Sequence, residues 1–179
     1  SYSSPELGAS EAQGGLFNRN SEIMMPDTRS KPVAAAPCAP VEGVTAPADL
    51  RNILLVEDED FDARRLAATL RVALGRAIDV RRVCSVQEVS GAIAQSMPDI
   101  VFIDDYLGPS DSALQTIPEL RLAGYAGSII VMSGEMNRSR MTELGALGVK
   151  DALHKDDITS ATITAAIDRA IAAQTMPTG

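Results

Sequence analysis

The sequence predicts an α/β fold: a doubly wound parallel sheet of five strands with helices on both faces. Short apolar runs typical of strands alternate with longer segments whose apolar residues recur at helical spacing. Each β-then-α unit is roughly 20 to 30 residues long, which suits right-handed crossovers between parallel strands. Five such units fit between residues 50 and 175.

Residues 1–49 differ in composition from the rest of the chain. Six of the ten prolines lie there, and no apolar period of a strand or helix is sustained. Such a segment buries too little apolar surface to offset a backbone ordering cost of roughly 1–2 kcal/mol per residue. We therefore predict a disordered N-terminal tail or linker over residues 1–49 and one folded domain over residues 50–175.

The folded part begins with a strand at Asn52–Val56, in which every residue after the asparagine is apolar, as is typical of a strand buried on both faces. A helix is predicted over Asp60–Leu74, where the apolar residues form one stripe and Gly75 ends it. The second strand covers Ile78–Val83.

The second helix starts at a capping box, Ser85 with Glu88 three residues on, and continues to about Gln95. The third strand, Ile100–Ile103, is followed by two aspartates.

A turn-rich loop, Gly108–Asp111, comes before a helix over about Ala113–Leu122, which Pro118 should kink or shorten. The remaining elements are a strand at Ser128–Met132, a helix at about Asn137–Leu147, a shorter strand at Val149–Leu153 and a helix at Ile158–Ala173. The strand order does not follow from this pattern alone. A length of about 120 residues suits an open flavodoxin-like sheet of order 2-1-3-4-5.

In such a sheet, ligands bind beyond the carboxyl ends of the strands, near the point where the strand order reverses. Three carboxylates, a hydroxyl and an ammonium stand at those ends: Glu57, Asp58, Asp104, Ser133 and Lys155. Clustered carboxylates repel by about 4 kcal/mol per pair at 4 Å and an effective dielectric near 20. A hard divalent cation relieves this repulsion, and an open oxygen-rich site suits Mg²⁺.

Magnesium attracts phosphate oxygens, so the same residues indicate phosphoryl chemistry. The central carboxylate, Asp104, could be a nucleophile that accepts a phosphoryl group as an acyl phosphate. Lys155 and the Ser133 hydroxyl could hold the remaining phosphoryl oxygens.

These residues and their neighbours resemble the receiver domain of two-component response regulators. The matching segments, in order, are Leu55–Asp58, Pro98–Gly108, Ile129–Gly134 and Lys155, and the resemblance covers about residues 51–174. It implies that a histidine kinase or histidine phosphotransfer protein phosphorylates Asp104 with Mg²⁺. The phosphorylated domain would then switch a surface that binds an unknown downstream protein, as a stand-alone regulator or as the receiver of a hybrid kinase.

The resemblance also implies a role for each site residue. The Mg²⁺ ligands would be Asp58, Asp104, the backbone carbonyl of Tyr106 and, through water, Glu57. Ser133 would be the hydroxyl switch and Lys155 the lysine that binds the phosphoryl group.

Two positions depart from the family pattern. Ala152 stands where the family often has an aromatic residue whose rotamer reports phosphorylation. Asp156 follows Lys155 where a proline in a cis peptide is common. A cis bond without proline costs roughly 2.5–4 kcal/mol, so a trans bond and a differently shaped loop are expected. The output mechanism should therefore differ from the usual one.

Two other functions stay open at this point. One is a degenerate receiver that acts as a phosphorylation-independent binding platform. The other is a small aspartyl-phosphate phosphatase, which would need a second acid two residues after the nucleophile, where this chain has Tyr106. We therefore expect no enzyme activity beyond self-phosphorylation and dephosphorylation.

The composition argues against several other classes. The net charge of −8 disfavours non-specific nucleic-acid binding, and the absence of Trp disfavours base stacking. No apolar run approaches the roughly 18 residues that a membrane helix needs. We expect a cytoplasmic protein with no nucleic-acid or membrane partner.

Overall fold

The structure is a computed structural model that describes residues 50–75 and 77–175. The tail predicted over residues 1–49 lies outside the described residues, and the boundary between tail and folded domain stays a prediction.

The described residues form a sheet of five parallel strands, a short hairpin and five helices. The strands are β1 (Asn52–Val56), β2 (Asp79–Val83), β3 (Ile100–Asp104), β4 (Tyr106–Leu107), β5 (Asp111–Ser112), β6 (Ser128–Ser133) and β7 (Asp151–His154). The helices are α1 (Asp60–Leu74), α2 (Val86–Gln95), α3 (Ala113–Leu122), α4 (Arg138–Ala146) and α5 (Ser160–Thr175).

The large sheet has the order β2-β1-β3-β6-β7, and every neighbouring pair in it is parallel. This order confirms the predicted flavodoxin-like topology. The chain reverses its direction of strand addition between β1 and β3, so the carboxyl ends of these two strands flank the expected ligand crevice.

Helices cover both faces of the sheet, which is why the middle strands are almost entirely apolar and buried. Side chains of a strand alternate between faces. Leu54, for example, lies in a core with α2, α3 and α4, whereas its neighbour Ile53 lies in a core with α1 and α5. Of the described helices, none is long and apolar enough to cross a membrane.

Several details differ from the sequence prediction, among them the start of α5 at Ser160 rather than Ile158. The loop after β3 contains an antiparallel hairpin, β4 with β5. Pro118 does not shorten α3, which covers Ala113–Leu122 as an uninterrupted helix. The last strand begins at Asp151 rather than Val149, because the Val149 N–H donates to the Leu144 carbonyl at 3.1 Å and belongs to the end of α4.

Candidate functional site

Three acids meet at the carboxyl ends of β1 and β3. Carboxylate oxygens of Glu57, Asp58 and Asp104 all lie within 4.8 Å of one another. The two strands are adjacent and parallel, with Val56 opposite Ile103, so the residues after them reach the same edge. Glu57 and Asp104 are buried, whereas Asp58 is exposed. The structure therefore brings together the three carboxylates that the sequence analysis selected.

Lys155 reaches into this acidic cluster from the end of β7. Its ammonium donates to Asp104 Oδ2 at 2.8 Å, Asp62 Oδ2 at 2.9 Å and Glu57 Oε2 at 3.2 Å. One positive charge thus faces several negative ones, and the cluster keeps a net negative charge that favours a further cation.

Asp62 is a site residue that the sequence analysis missed. It lies in the first turn of α1, where acids are common because they interact well with the helix dipole. Its position four residues after Asp58, in the first turn of the helix that follows β1, was the available signal. Only the fold shows that its carboxylate is a partner of Lys155.

Arg82 was also missed, and it holds the loop that carries the acids. Arg82 lies near the carboxyl end of edge strand β2. Its Nε donates to the Glu57 carbonyl at 2.7 Å and its Nη2 to the Asp58 carbonyl at 2.7 Å. A further bond joins Arg82 to the Asp60 carboxylate. The guanidinium therefore fixes the backbone between β1 and α1.

Burial and mutual repulsion change the acidity of the cluster. Burial raises the pKa of Glu57 to about 7, and the negative charge of Asp104 adds to this increase. Burial also raises the pKa of Asp104, against the effect of its hydrogen bond from Lys155. Burial lowers the pKa of Lys155, but its hydrogen bonds to Asp104 and Asp62 outweigh this and raise it above its usual value.

The donor set fits a hard divalent cation. All candidate ligand atoms are oxygens, and the exposed side of the cluster at Asp58 leaves room for water ligands, as Mg²⁺ prefers. The loop after β3 closes over the same edge, since a Cβ added to Gly108 would lie 3.8 Å from Asp58 Oδ2. Tyr106 lies in this loop, and its N–H approaches Asp104 Oδ1 at 3.4 Å.

Ser133 lies at the end of β6, but its hydroxyl forms hydrogen bonds with residues outside the cluster of Glu57, Asp58 and Asp104. Its buried hydroxyl is 3.1 Å from Asp105 Oδ2 and 2.9 Å from the Glu135 carbonyl. The Glu135 N–H donates back to the hydroxyl oxygen at 3.1 Å. The structure thus joins Ser133 to the neighbour of Asp104 and gives it no hydrogen bond to Asp104 itself.

Asp105 and Arg140 form an ion pair that the sequence analysis missed. The Asp105 side chain is fully buried, and Arg140 Nε lies 3.0 Å from each of its carboxylate oxygens. The Arg140 guanidinium also lies 5.4 Å from the centre of the Tyr106 ring. Nothing in the spacing of the sequence links α4 to the end of β3, so this ion pair could be found only from the three-dimensional structure.

Ala152 and the segment after Lys155 complete this edge. Ala152 lines a surface groove of about 480 Å³ together with Met136, His154 and Arg169. Residues Lys155–Asp157 form a short 3₁₀ turn, and the Asp156 N–H donates to His154 Nδ1 at 3.2 Å. His154 therefore caps this turn.

No protein-family model and no curated protein matches the chain. Solved structures do match. The chemotaxis protein CheY4 of Vibrio cholerae is 17% identical, with a TM-score of 0.60, over 68% of this chain and 99% of that one. The BeF₃-activated receiver domain of RstA from Klebsiella pneumoniae is 22% identical, with a TM-score of 0.57, over 68% and 98% of the two chains.

A third match is a response regulator from Burkholderia pseudomallei with a phosphorylated aspartic acid, a calcium ion and citrate. It is 22% identical, with a TM-score of 0.58, over 72% of this chain and 75% of that chain. The chain therefore has a flavodoxin-like fold. More narrowly, it has the fold of the receiver domains of response regulators.

Proposed function

We propose that this chain is a phosphoacceptor signalling module in which Asp104 takes up a phosphoryl group in the presence of Mg²⁺. The observation that carries the proposal is the cluster of three carboxylates within 4.8 Å, with the Lys155 ammonium 2.8 Å from Asp104. The phosphoryl donor would be a histidine kinase or a histidine phosphotransfer protein, and the acceptor of the signal a downstream protein.

The two oxygens of Asp104 suit different roles. Oδ2 accepts a short, charge-assisted hydrogen bond from the Lys155 ammonium at 2.8 Å, whereas the Tyr106 N–H lies 3.4 Å from Oδ1. Oδ1 is therefore the freer nucleophile. In the transfer, its O–P bond forms as the N–P bond of a phosphohistidine breaks, and the donor nitrogen takes up a proton.

Negative charge develops on three phosphoryl oxygens during the transfer, and this chain has groups to neutralise it. The Lys155 ammonium, which lies 2.8 Å from Asp104 Oδ2, can donate a hydrogen bond to a phosphoryl oxygen attached to Asp104. Mg²⁺ would be held by Asp58, Asp104 and the Tyr106 carbonyl, with Glu57 acting through water, and it supplies charge neutralisation when bound. Asp62 remains to hold the Lys155 ammonium in place.

The proposal is tested by intact-mass measurement after incubation with acetyl phosphate and Mg²⁺. The parent chain should gain one phosphoryl group, and Asp104→Asn should gain none. Glu59→Gln is the matched control, because this exposed acid lies beside the cluster and contributes only its backbone N–H to it. Phosphorylation of Asp104→Asn, or none in the parent with an intact fold, would contradict the proposal.

A second candidate is a binding platform that works without phosphorylation. It is favoured by the bonds of the Ser133 hydroxyl, which join Asp105 and Glu135 rather than Asp104. The same mass measurement separates the two, since a platform would stay unmodified in the parent chain and in both variants.

A further inference from the structure

Two groups from different elements converge on one buried carboxylate beside the proposed phosphoacceptor. The Ser133 hydroxyl, at the end of β6, and the Arg140 guanidinium, in α4, both bond to Asp105. Asp105 is directly bonded in sequence to Asp104. Its side chain is fully buried, so it depends on these two partners for hydrogen bonds.

The Ser133 hydroxyl cannot serve all its acceptors at once. It has one hydrogen, and that hydrogen already has two acceptors, Asp105 Oδ2 and the Glu135 carbonyl. A phosphoryl group on Asp104 would add a third, more strongly charged acceptor. If the hydroxyl turns to it, both Asp105 and the loop at Glu135 lose a partner.

Helix α4 is held to the domain by few apolar contacts. Among its residues, only Leu144 is buried. The link from Arg140 to Asp105 is therefore a large part of what fixes the first turn of α4. Arg140 also lies over the Tyr106 ring, so it contacts both residues that follow Asp104.

We propose that Arg140 is a positioning residue that couples the state of Asp104 to the position of helix α4, through Asp105 and Tyr106. A phosphoryl group that draws the Ser133 hydroxyl away from Asp105 leaves the Asp105 carboxylate with Arg140 as its remaining hydrogen-bond partner. When the Arg140 guanidinium adjusts to this change, the first turn of α4, which carries Arg140, moves with it. This inference rests on the proposed function.

The test compares amide NMR spectra with and without beryllofluoride and Mg²⁺, which together imitate the acyl phosphate. In the parent, amides around Asp58, Asp104 and Lys155 should shift, and so should amides of α4. The uncoupled protein is the double variant Asp105→Asn/Arg140→Met. It removes both charges together, because a lone buried Asp105 carboxylate could prevent folding. The asparagine still offers an oxygen to Ser133.

In the double variant, the shifts around Asp58, Asp104 and Lys155 should remain, while those of α4 should be lost. Glu143→Gln is the matched control. Glu143 is the exposed partner of Arg140 at 3.3 Å, and its variant keeps the bond to Asp105, so α4 should respond as in the parent. Arg140→Lys should keep only part of the α4 response, because lysine lacks the planar fork that binds both carboxylate oxygens.

The outcomes separate the two proposals. If the parent shows no shifts at Asp58, Asp104 and Lys155, the proposed function fails. If these shifts occur but α4 responds equally in the parent and the double variant, or does not respond in the parent, the role of Arg140 is refuted and the proposed function stands.

Discussion

At the scale of single residues, Lys155 is the group that makes a cluster of acids compatible with folding. Its ammonium bonds to Glu57, Asp62 and Asp104, and its side chain is only 19% exposed. Carboxylates that lose such a partner repel one another in a medium of low polarity. Lys155 should therefore stabilise the metal-free fold and at the same time weaken the binding of a metal ion to the cluster.

Lys155→Gln should lower the free energy of unfolding in EDTA by roughly 1–3 kcal/mol, because the partly buried acids lose their cation. The same variant should bind Mg²⁺ more tightly, since the cluster becomes more negative. Urea unfolding in EDTA and with Mg²⁺ measures both effects. Lys150→Gln is the control, because Lys150 is exposed. Equal unfolding curves for the two variants in EDTA would contradict this prediction.

The acidity of Glu57 predicts how stability changes with pH when no metal is bound. Its pKa is raised from 4.5 to about 7, chiefly by burial, so the folded state holds the proton more tightly than the unfolded state. Between these two values, rising pH ionises the unfolded state first and lowers the stability of the fold. The loss is complete above pH 7, and it should amount to about 2–3 kcal/mol.

Glu57→Gln has no such proton, so its stability should fall less over the same pH window. Chemical unfolding in EDTA at a series of pH values compares the variant with the parent. A constant difference between the two proteins from acid to neutral pH would show that Glu57 has an ordinary pKa in the fold.

At the scale of elements, the ends of helices decide where the neighbouring strands begin. Helix α4 ends at Ala146, and Gly148, with a φ of +81° that suits glycine, follows its C-terminus. Two hydrogen bonds close this turn: the Gly148 N–H donates to the Gly145 carbonyl and the Val149 N–H to the Leu144 carbonyl. These bonds use the Val149 backbone, so β7 starts only at Asp151.

Gly148→Ala should destabilise the protein by about 1 kcal/mol, because a side chain is strained at positive φ. Gly145→Ala is the matched control in the same helix. A Cβ there meets no atom within 4 Å, and alanine favours helix over glycine, so this variant should be neutral or slightly stabilising. Thermal unfolding of both proteins checks the prediction, and an equal loss in both would contradict it.

At the scale of the whole molecule, the parallel sheet places residues that are far apart in sequence at one edge. Glu57 and Lys155 come from opposite ends of the domain, yet they form a direct ion pair at 3.2 Å. A cation bound at this edge would be held by the residues that follow β1 and β3 together. It should therefore stabilise the entire fold by mass action rather than one local segment.

Mg²⁺ at 100 times its dissociation constant should add about 2.7 kcal/mol to the free energy of unfolding. The thermal midpoint should rise accordingly with Mg²⁺ concentration. Asp58→Asn should remove most of this rise, because it takes away the exposed carboxylate of the cluster. Glu59→Gln, at the neighbouring exposed position, should keep it. A parent midpoint that is insensitive to Mg²⁺ would count against a metal at this site.

The sequence by itself determined the alternation of strands and helices, and which residues stand at the strand ends. Both follow from local chemistry. The apolar run from Ile53 to Val56 requires burial on both faces. Glu57 and Asp58 come next in the chain, and Asp104 follows a second run of this kind. The direction of a parallel strand then decides at which edge its last residue lies.

The tertiary structure alone decided which side chains pair at that edge. Asp62 bonds to Lys155, Arg82 holds the loop after β1, and Arg140 reaches the buried Asp105. Each pair joins residues on different elements, and its geometry depends on how strands and helices pack. No local periodicity encodes such distances. For this reason Ser133 could be placed at a strand end from the sequence, while its bond to Asp105 could not be predicted.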